Sequence, residues 1–139
     1  MKKRILIGLV VIFGIIACNN NDDSNNCNQV TIVSSEQYET APNDQLFINT
    51  LELNGDCLKI NFSSSGCNGD TWVLKLIDSE NIMESNPPQR NLRLSLRNEE
   101  DCEAFITREL TFDVNELRVN GNQVLLNITN SDDQILYEY

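Results

Sequence analysis

The chain contains no histidine among its 139 residues. This absence excludes Ser-His-Asp and Cys-His catalytic centres, and it removes both the commonest metal ligand and the commonest general base. Carboxylates, Lys59, Lys75 and the tyrosines remain as groups that an enzyme could use. An enzyme is therefore disfavoured but not excluded, and we predict no catalytic residue, no metal ligand and no cofactor.

Positive charge is also scarce, since ten Lys and Arg residues stand against 21 Asp and Glu residues and the pI is about 4.2. Nucleic acids and anionic lipid surfaces repel a chain with this balance. We therefore predict no nucleic-acid partner.

Only one long apolar run is present, from Ile5 to Ala17, and it directly follows Lys2, Lys3 and Arg4. As a helix of about 13 residues it would be roughly 20 Å long, too short to span a hydrocarbon core of about 30 Å. A charged start, a short apolar segment and a small final residue are typical of a secretory signal peptide. Without residues 1–17 the chain keeps seven basic and 21 acidic residues, a net charge of −14.

The end of this run, Ile15-Ile16-Ala17-Cys18, resembles a bacterial lipobox. In that motif the cysteine is lipidated and becomes the first residue of the mature lipoprotein. The resemblance implies a signal peptide at 1–17 and lipidation of Cys18, with the membrane as a partner through the lipid. Residues 18–26 are polar and are predicted to form a tether.

The tether also contains residues that bear on the localisation of the protein. Asn19 replaces the aspartate that marks inner-membrane retention in enteric lipoproteins, and Asp22-Asp23 is similar to the export signal of surface lipoproteins in Bacteroidetes. A solvated linker explains the same composition. More broadly, the chain resembles small Bacteroidetes lipoproteins of unassigned function, which implies a place at the outer membrane, with surface display as the further expectation.

Beyond the tether, apolar and polar residues alternate with a period of two, as in half-buried strands. Leu58, Ile60 and Phe62 follow this pattern, and polar turn residues separate the segments. The candidate strands lie at 29–33, 46–53, 58–64, 72–77, 92–97, 104–112, 123–128 and 134–139. About eight strands predict one all-β domain at 27–139, an antiparallel β-sandwich, with a small β-barrel as the alternative. Residues 113–117 are predicted to form one helical turn, and Asn120-Gly121 a type I′ hairpin.

Five cysteines become an even set of four if Cys18 carries lipid. Cys57 and Cys67 flank the strand 58–64, whose ends are about 23 Å apart, so these two cysteines are too far apart for a disulfide. If strands alternate in direction, Cys27 and Cys57 share one end of the sheet and Cys67 and Cys102 the other. We therefore predict the disulfides Cys27–Cys57 and Cys67–Cys102.

Three further features are candidates for binding. The loop Ser63–Asp70 is rich in glycine and short polar residues and could form a backbone nest, a ligand-facing surface or simply a tight turn held by its cysteine. The acidic cluster at 99–103 could bind a cation or form a solvated loop. Trp72 is either a core or rim residue or a sugar-stacking platform. Arg90, Arg93, Arg97 and Arg108 would form one basic face if their strands were neighbours, although pairing with acidic residues is the simpler expectation.

These features favour a lipid-anchored envelope or cell-surface protein that binds a protein, a glycan or another envelope component through its loops. The first alternative is a carboxylate-dependent hydrolase, which would need two acidic side chains and an aromatic residue in a deep pocket. The second is an extracellular inhibitor that inserts its disulfide-stapled loop into a target.

Overall fold

The structure is a computed structural model that describes residues 26–139. The proposed lipidation site Cys18, the signal segment and most of the tether lie outside the described residues. In chain order the elements are β1 (Gln29–Val30), β2 (Ile32–Val33), α1 (Ser35–Thr40), β3 (Phe47–Asn54), β4 (Cys57–Gly66), β5 (Val73–Met83), β6 (Gln89–Arg97), β7 (Ala104–Asp113), a 3-10 turn (Asn115–Leu117), β8 (Gln123–Ile128) and β9 (Asp133–Glu138).

The nine described strands form two sheets and no closed barrel, which confirms the predicted β-sandwich. One sheet has the strand order β1-β7-β4-β3, and the other has the order β2-β5-β6-β8-β9. Both sheets are mixed, because β1 pairs with β7, β2 with β5 and β6 with β8 in parallel. The remaining pairs are antiparallel.

The two-residue alternation creates the core between the sheets. Leu58, Ile60 and Phe62 of β4 are fully buried and belong to the same apolar cluster as the β6 leucines Leu92 and Leu94. Successive side chains of a strand point to opposite faces, so each sheet presents one apolar face to the other. Burying each large apolar side chain is worth about 1.5–3 kcal/mol relative to leaving it in water.

The start of the domain joins the two sheets along one edge. β1 pairs with β7 in the four-stranded sheet, and β2 pairs with β5 in the five-stranded sheet. Thr31 lies between them, and its backbone N–H donates to the carbonyl of Asp113 at 3.1 Å. The sheets therefore share a connected edge, while β3 and β9 are the outermost strands at their other edges.

Helix α1 lies between the first two strands predicted from the sequence, where the sequence pattern predicts no helix. Ser34 caps it, since the Ser34 hydroxyl accepts from the Gln37 N–H at 3.1 Å. Glu80 adds a second cap by accepting from the backbone N–H of Ser35 at 3.1 Å and from its hydroxyl at 2.9 Å. Six residues are too few to show a sustained apolar stripe, so the helix depends on these caps. Within residues 26–139, no helix is long and apolar enough to cross a membrane.

The connection from β7 to β8 corrects one prediction and confirms another. The helical turn predicted at 113–117 is present as the 3-10 turn. The type I′ hairpin at Asn120-Gly121 is wrong, because β7 and β8 belong to different sheets. Gly121 has a φ of +105°, but Asn120 does not share the positive φ that both central residues of that turn require.

The two disulfides join Cys27 to Cys57 and Cys67 to Cys102, with Cα–Cα distances of 5.6 and 4.8 Å. This is the pairing expected from strand direction. Strand β4 runs from Cys57 to Gly66, so its ten residues separate the two bridges by about 30 Å. We call the end with Asp56 and Cys57 the entry end, and the end with the loops 66–71 and 98–102 the far end.

Candidate functional site

At the far end, the Glu100 carboxylate occupies a nest of backbone N–H groups. Its Oε1 accepts from the N–H groups of Cys67, Asn68 and Gly69 at 2.7, 3.0 and 2.9 Å. Its Oε2 accepts from the Thr71 hydroxyl at 2.7 Å and the Thr71 N–H at 3.3 Å. These donors, first the Gly69 N–H and then the Thr71 hydroxyl, lower the pKa of Glu100 to about 2.

Of the alternatives considered for the Ser63–Asp70 loop, the structure has the backbone nest, and Glu100 of the acidic cluster occupies it. The ionised Glu100 ties two loops together and fills the space that an external anion would take. Glu99 turns to Arg97, with an ion pair of 2.7 Å. Among residues 26–139, no three acidic or cysteine side chains converge as a metal site would require. The far end is thus built as a rigid clamp.

Two glycines allow the nest to sit directly on the indole of Trp72. A Cβ on Gly66 would lie 2.8 Å from Glu100 Oε1 and 2.9 Å from Trp72 Cζ2, and one on Gly69 would lie 3.2 Å from Trp72 Cε3. Trp72 is only 9% exposed, and its ring lies 6.3 Å from that of Phe62. Trp72 is therefore a core residue, which removes it as a surface platform for a sugar.

Further contacts brace the same end. Arg108 Nη2 donates to the Asp70 carboxylate at 3.2 Å and to the Gly69 carbonyl at 3.5 Å. Asn98 Nδ2 donates to the Ser65 carbonyl at 2.7 Å, and Asn98 Oδ1 accepts from the Glu100 N–H at 3.0 Å. Both loops are thus tied to the sheets as well as to each other.

A small cavity beside Trp72 bears on the hydrolase alternative, because Asp70 and Glu109 also line it. Its volume is about 160 Å³, whereas ligand pockets measure about 300–1,000 Å³. Asp70 is paired with Arg108 at 3.2 Å. Glu109 lies in register with Asn61 on the outer face of the sheet and accepts from its amide at 3.5 Å. The two carboxylates therefore do not converge on one reacting position.

An exposed aromatic pair lies on the outer face of the four-stranded sheet, near the far end. The rings of Phe47 on β3 and Phe105 on β7 are 6.0 Å apart and tilted by 51°. They remain 49% and 63% exposed. In register they lie opposite Ser63 and Ser65 of β4, the strand between them.

A row of hydrogen-bonded polar side chains continues from this pair along the same face. Asn49 Nδ2 donates to Asn61 Oδ1 at 2.9 Å and to Ser63 Oγ at 2.8 Å. The hydroxyls of Ser63 and Thr107 are 2.7 Å apart, and Asn61 Nδ2 donates to Glu109 at 3.5 Å. Cross-strand bonds thus hold amide, hydroxyl and carboxylate groups in fixed places beside two exposed rings.

The sequence carries a signal for only one half of this surface. Phe105 is out of phase with Ile106, which faces the core. Phe47 has the same sequence phase as the core-facing Leu51, and the register shift after Ile48 turns it to the outer face, so the alternation of β3 does not reveal its exposure. A large aromatic residue at an outward position is an exception that points to a surface role.

The four arginines do not form one basic face, since β6 and β7 belong to different sheets, and three of them pair with acidic residues, which was the simpler expectation. Arg90 is buried and donates from Nε and Nη2 to both oxygens of the buried Asp78, at 3.0 and 2.7 Å. Arg93 donates to backbone carbonyls of α1 and the residues after it, Tyr38 among them at 2.9 Å. Arg97 and Arg108 pair with acidic residues at the far end.

No protein-family model and no curated protein sequence matches the chain. The fold is similar to the crystal structure of a protein of unknown function, DUF1344, from Bacteroides vulgatus ATCC 8482, with a TM-score of 0.53 and 16% sequence identity. The match covers 80% of this chain and 56% of that chain, so this chain spans little more than half of its length. At this identity the likeness shows the fold alone.

Proposed function

We propose that this protein is a lipid-anchored module of the bacterial envelope that binds a polysaccharide chain on the outer face of its four-stranded sheet. The observation that carries the proposal is the exposed Phe47–Phe105 pair beside the hydrogen-bonded row of Asn49, Asn61 and Thr107. The anchor would be lipid on Cys18.

The chemistry of this face suits a sugar. A pyranose ring has an apolar C–H face that packs on an aromatic ring, and its hydroxyls need both donors and acceptors. The phenylalanine rings offer the first contact, and the fixed amides and hydroxyls offer the second. Within residues 26–139, the only cation at an outward position of this sheet is Lys59, which is neutralised by Glu52 at 2.8 Å. A chain of neutral sugars therefore fits this face better than a strongly charged polymer.

The placement of the pair relative to the proposed anchor supports this role. The domain begins beside Cys57 through the Cys27 disulfide. Ser63, opposite Phe47, lies six residues farther along β4, about 20 Å away. If the nine residues predicted to form the tether behave as a random coil, they would add roughly 15–18 Å. The aromatic pair would then be able to lie well clear of the membrane surface, where a polysaccharide can reach it.

Affinity electrophoresis of the full chain in detergent tests the binding proposal, with a neutral β-glucan, a mannan, a xylan and acidic alginate as probes. We expect a neutral polysaccharide to retard the protein, and Phe47→Ala and Phe105→Ala each to weaken that binding about tenfold or more. Leu136→Ala is the matched control, because Leu136 is 41% exposed but lies on β9 of the other sheet. Binding that survives both phenylalanine substitutions would overturn the proposal.

A protein partner is the second candidate, favoured by the rigid loop that Cys67–Cys102 and Glu100 hold at the far end. Rigidity is one of the two properties that the inhibitor alternative requires of this loop, and protrusion from the surface is the other. It predicts that an envelope protein binds the wild-type chain, that none of the four polysaccharides does, and that changes at exposed Asn68 weaken the complex.

The anchor has its own test. We expect a palmitate analogue to label the wild-type chain in cells, and Cys18→Ser to abolish the label and move the protein out of the membrane fraction. Cys67→Ser together with Cys102→Ser is the control, because it removes two cysteines and leaves the lipobox intact. Unchanged labelling of Cys18→Ser would contradict the lipoprotein assignment.

A further inference from the structure

A second concave site lies at the entry end, on the opposite side of the molecule from the nest. It is a cleft of about 440 Å³ between the segment Ile82–Pro88 and the segment Arg118–Asn120. This volume lies within the usual range for small-molecule sites, about 300–1,000 Å³. Neither the proposed polysaccharide face nor the far-end clamp contributes to it.

One wall of the cleft carries Arg118, which the protein holds from behind. Arg118 Nε donates to the Tyr137 hydroxyl at 2.9 Å, and Nη2 donates to Asp56 Oδ1 at 2.7 Å. The guanidinium carbon lies 5.8 and 5.2 Å from the ring centroids of Tyr137 and Tyr139. The side chain is still 43% exposed, and within residues 26–139 its Nη1 donates to no protein acceptor. The guanidinium is thus preorganised with donors to spare.

The opposite wall carries the exposed Glu84, which forms no ion pair with the described residues. The adjoining Ser85 ties the loop down, since its hydroxyl donates to the Pro87 carbonyl at 2.6 Å and accepts from Gln89 Nε2 at 3.1 Å. A cation and an anion therefore border the same cleft without meeting each other.

Apolar side chains line the cleft together with these two charges. They are Ile82, which is 43% exposed, Pro88 and Val119. Val119 is fixed by Tyr139, whose hydroxyl accepts from the Val119 N–H and donates to the Val119 carbonyl, both at 2.9 Å. A ligand that matches this arrangement has two opposite charges separated by an apolar part.

We infer that this cleft binds a short apolar peptide, with its terminal carboxylate on Arg118 and its terminal ammonium group on Glu84. The acidic chain repels an anion, whereas a zwitterion carries no net charge and offers a partner to both Arg118 and Glu84. The volume suits two or three residues rather than a long chain. This binding would be independent of the polysaccharide face.

Leucyl-leucine is a suitable probe, titrated into the full chain in detergent and followed by NMR of the Ile82, Val119 and Asn120 signals. We expect these signals to shift in a saturable way. The N-acetyl derivative and the C-terminal amide should each bind at least tenfold more weakly, since each lacks one charge. The ligand series tests both charges without changing the protein.

Glu84→Gln is the matching protein variant, because it removes one charge at an exposed position without disturbing the Arg118 contacts. We expect it to weaken leucyl-leucine about tenfold while leaving the affinity for the N-acetyl derivative unchanged. Glu36→Gln on α1 is the control and should change neither. Equal binding of the peptide and of its doubly blocked form, or an absence of saturable shifts at millimolar peptide, would overturn the inference.

Discussion

Each end of the sandwich holds a carboxylate in place by hydrogen bonds, but the donors differ between the two ends. Each end has a disulfide, and close to it a carboxylate whose oxygens are engaged by hydrogen bonds. At the far end, four backbone N–H groups and one hydroxyl surround Glu100. At the entry end, the Arg118 guanidinium and the Tyr137 hydroxyl donate to Asp56.

This difference indicates which residues the stability of each end depends on. Backbone donors are placed by the path of the chain, so the far end depends on glycines and on the disulfide that fixes its loops. Side-chain donors are placed by packing, so the entry end depends on a few large residues. The difference also affects binding, because the nest is filled by its own carboxylate, whereas Arg118 keeps one side open to solvent.

The largest losses of unfolding free energy are expected when both cysteines of one disulfide are replaced by serine. The two disulfides close separations of 30 and 35 residues, so each double serine variant should lose about 4 kcal/mol of unfolding free energy on the chain-entropy model. Loss of Cys67–Cys102 should cost more than loss of Cys27–Cys57, because it also loosens the nest. Urea unfolding of the two variants measures this, and a larger loss from Cys27–Cys57 would contradict the comparison.

Gly66→Ala is expected to damage the far end selectively. Its Cβ would lie within 3 Å of both Glu100 and Trp72, and overpacking of this kind costs about 1–3 kcal/mol. In urea unfolding, the cost should shrink when Glu100→Gln is already present, because the carboxylate no longer needs the same position. Fully additive effects of the two substitutions would show that the clash does not involve the nest.

Tyr137→Phe tests the entry end in the same way. The Tyr137 hydroxyl accepts from Arg118 and donates to Asp56 in a buried position, so its loss should cost about 1–3 kcal/mol. Tyr38→Phe is the matched control, since the Tyr38 hydroxyl bonds only Thr129 at the surface, at 3.0 Å. Thermal unfolding should show a larger loss of stability for Tyr137→Phe than for Tyr38→Phe. Equal losses would argue against a special role for the Tyr137 hydroxyl and its two partners.

The smallest changes in stability are expected from pH. Acidic pH should affect the far end, and alkaline pH should affect the entry end. The pKa of Glu100 falls from 4.5 to about 2, so its contribution to stability is complete above pH 4.5 and is lost as pH falls through 2. Burial, and then Asp56, raises the pKa of Tyr137 from 10 to about 12, so its contribution is lost as pH rises from 10 through 12.

The midpoints of urea unfolding, measured between pH 2 and 5 and between pH 9 and 12, give the acidic and alkaline limbs of the dependence of stability on pH. Glu100→Gln should flatten only the acidic limb, and Tyr137→Phe only the alkaline limb. A variant that flattens both limbs would mean that the ends are coupled.

Much of the architecture could be predicted from local pattern. The alternation in β4 and β6 identified the buried faces, and strand direction together with the roughly 23 Å between the ends of the strand 58–64 led to the disulfide pairing. The short helix α1 could not be seen, because its second cap, Glu80, comes from a strand 45 residues away. The parallel strand pairs were likewise invisible to a pattern that assigns strands but not their neighbours.

The sequence by itself determined which side chains face the core along most strands, and it excluded a bridge between Cys57 and Cys67, since both follow from the geometry of single strands. Only the tertiary structure decided which charged groups become partners. Glu100 and Cys67 are 33 residues apart, and Tyr137 and Asp56 are 81 apart. Their contacts depend on how two sheets stack, and a residue's own neighbours in the chain carry no information about that stacking.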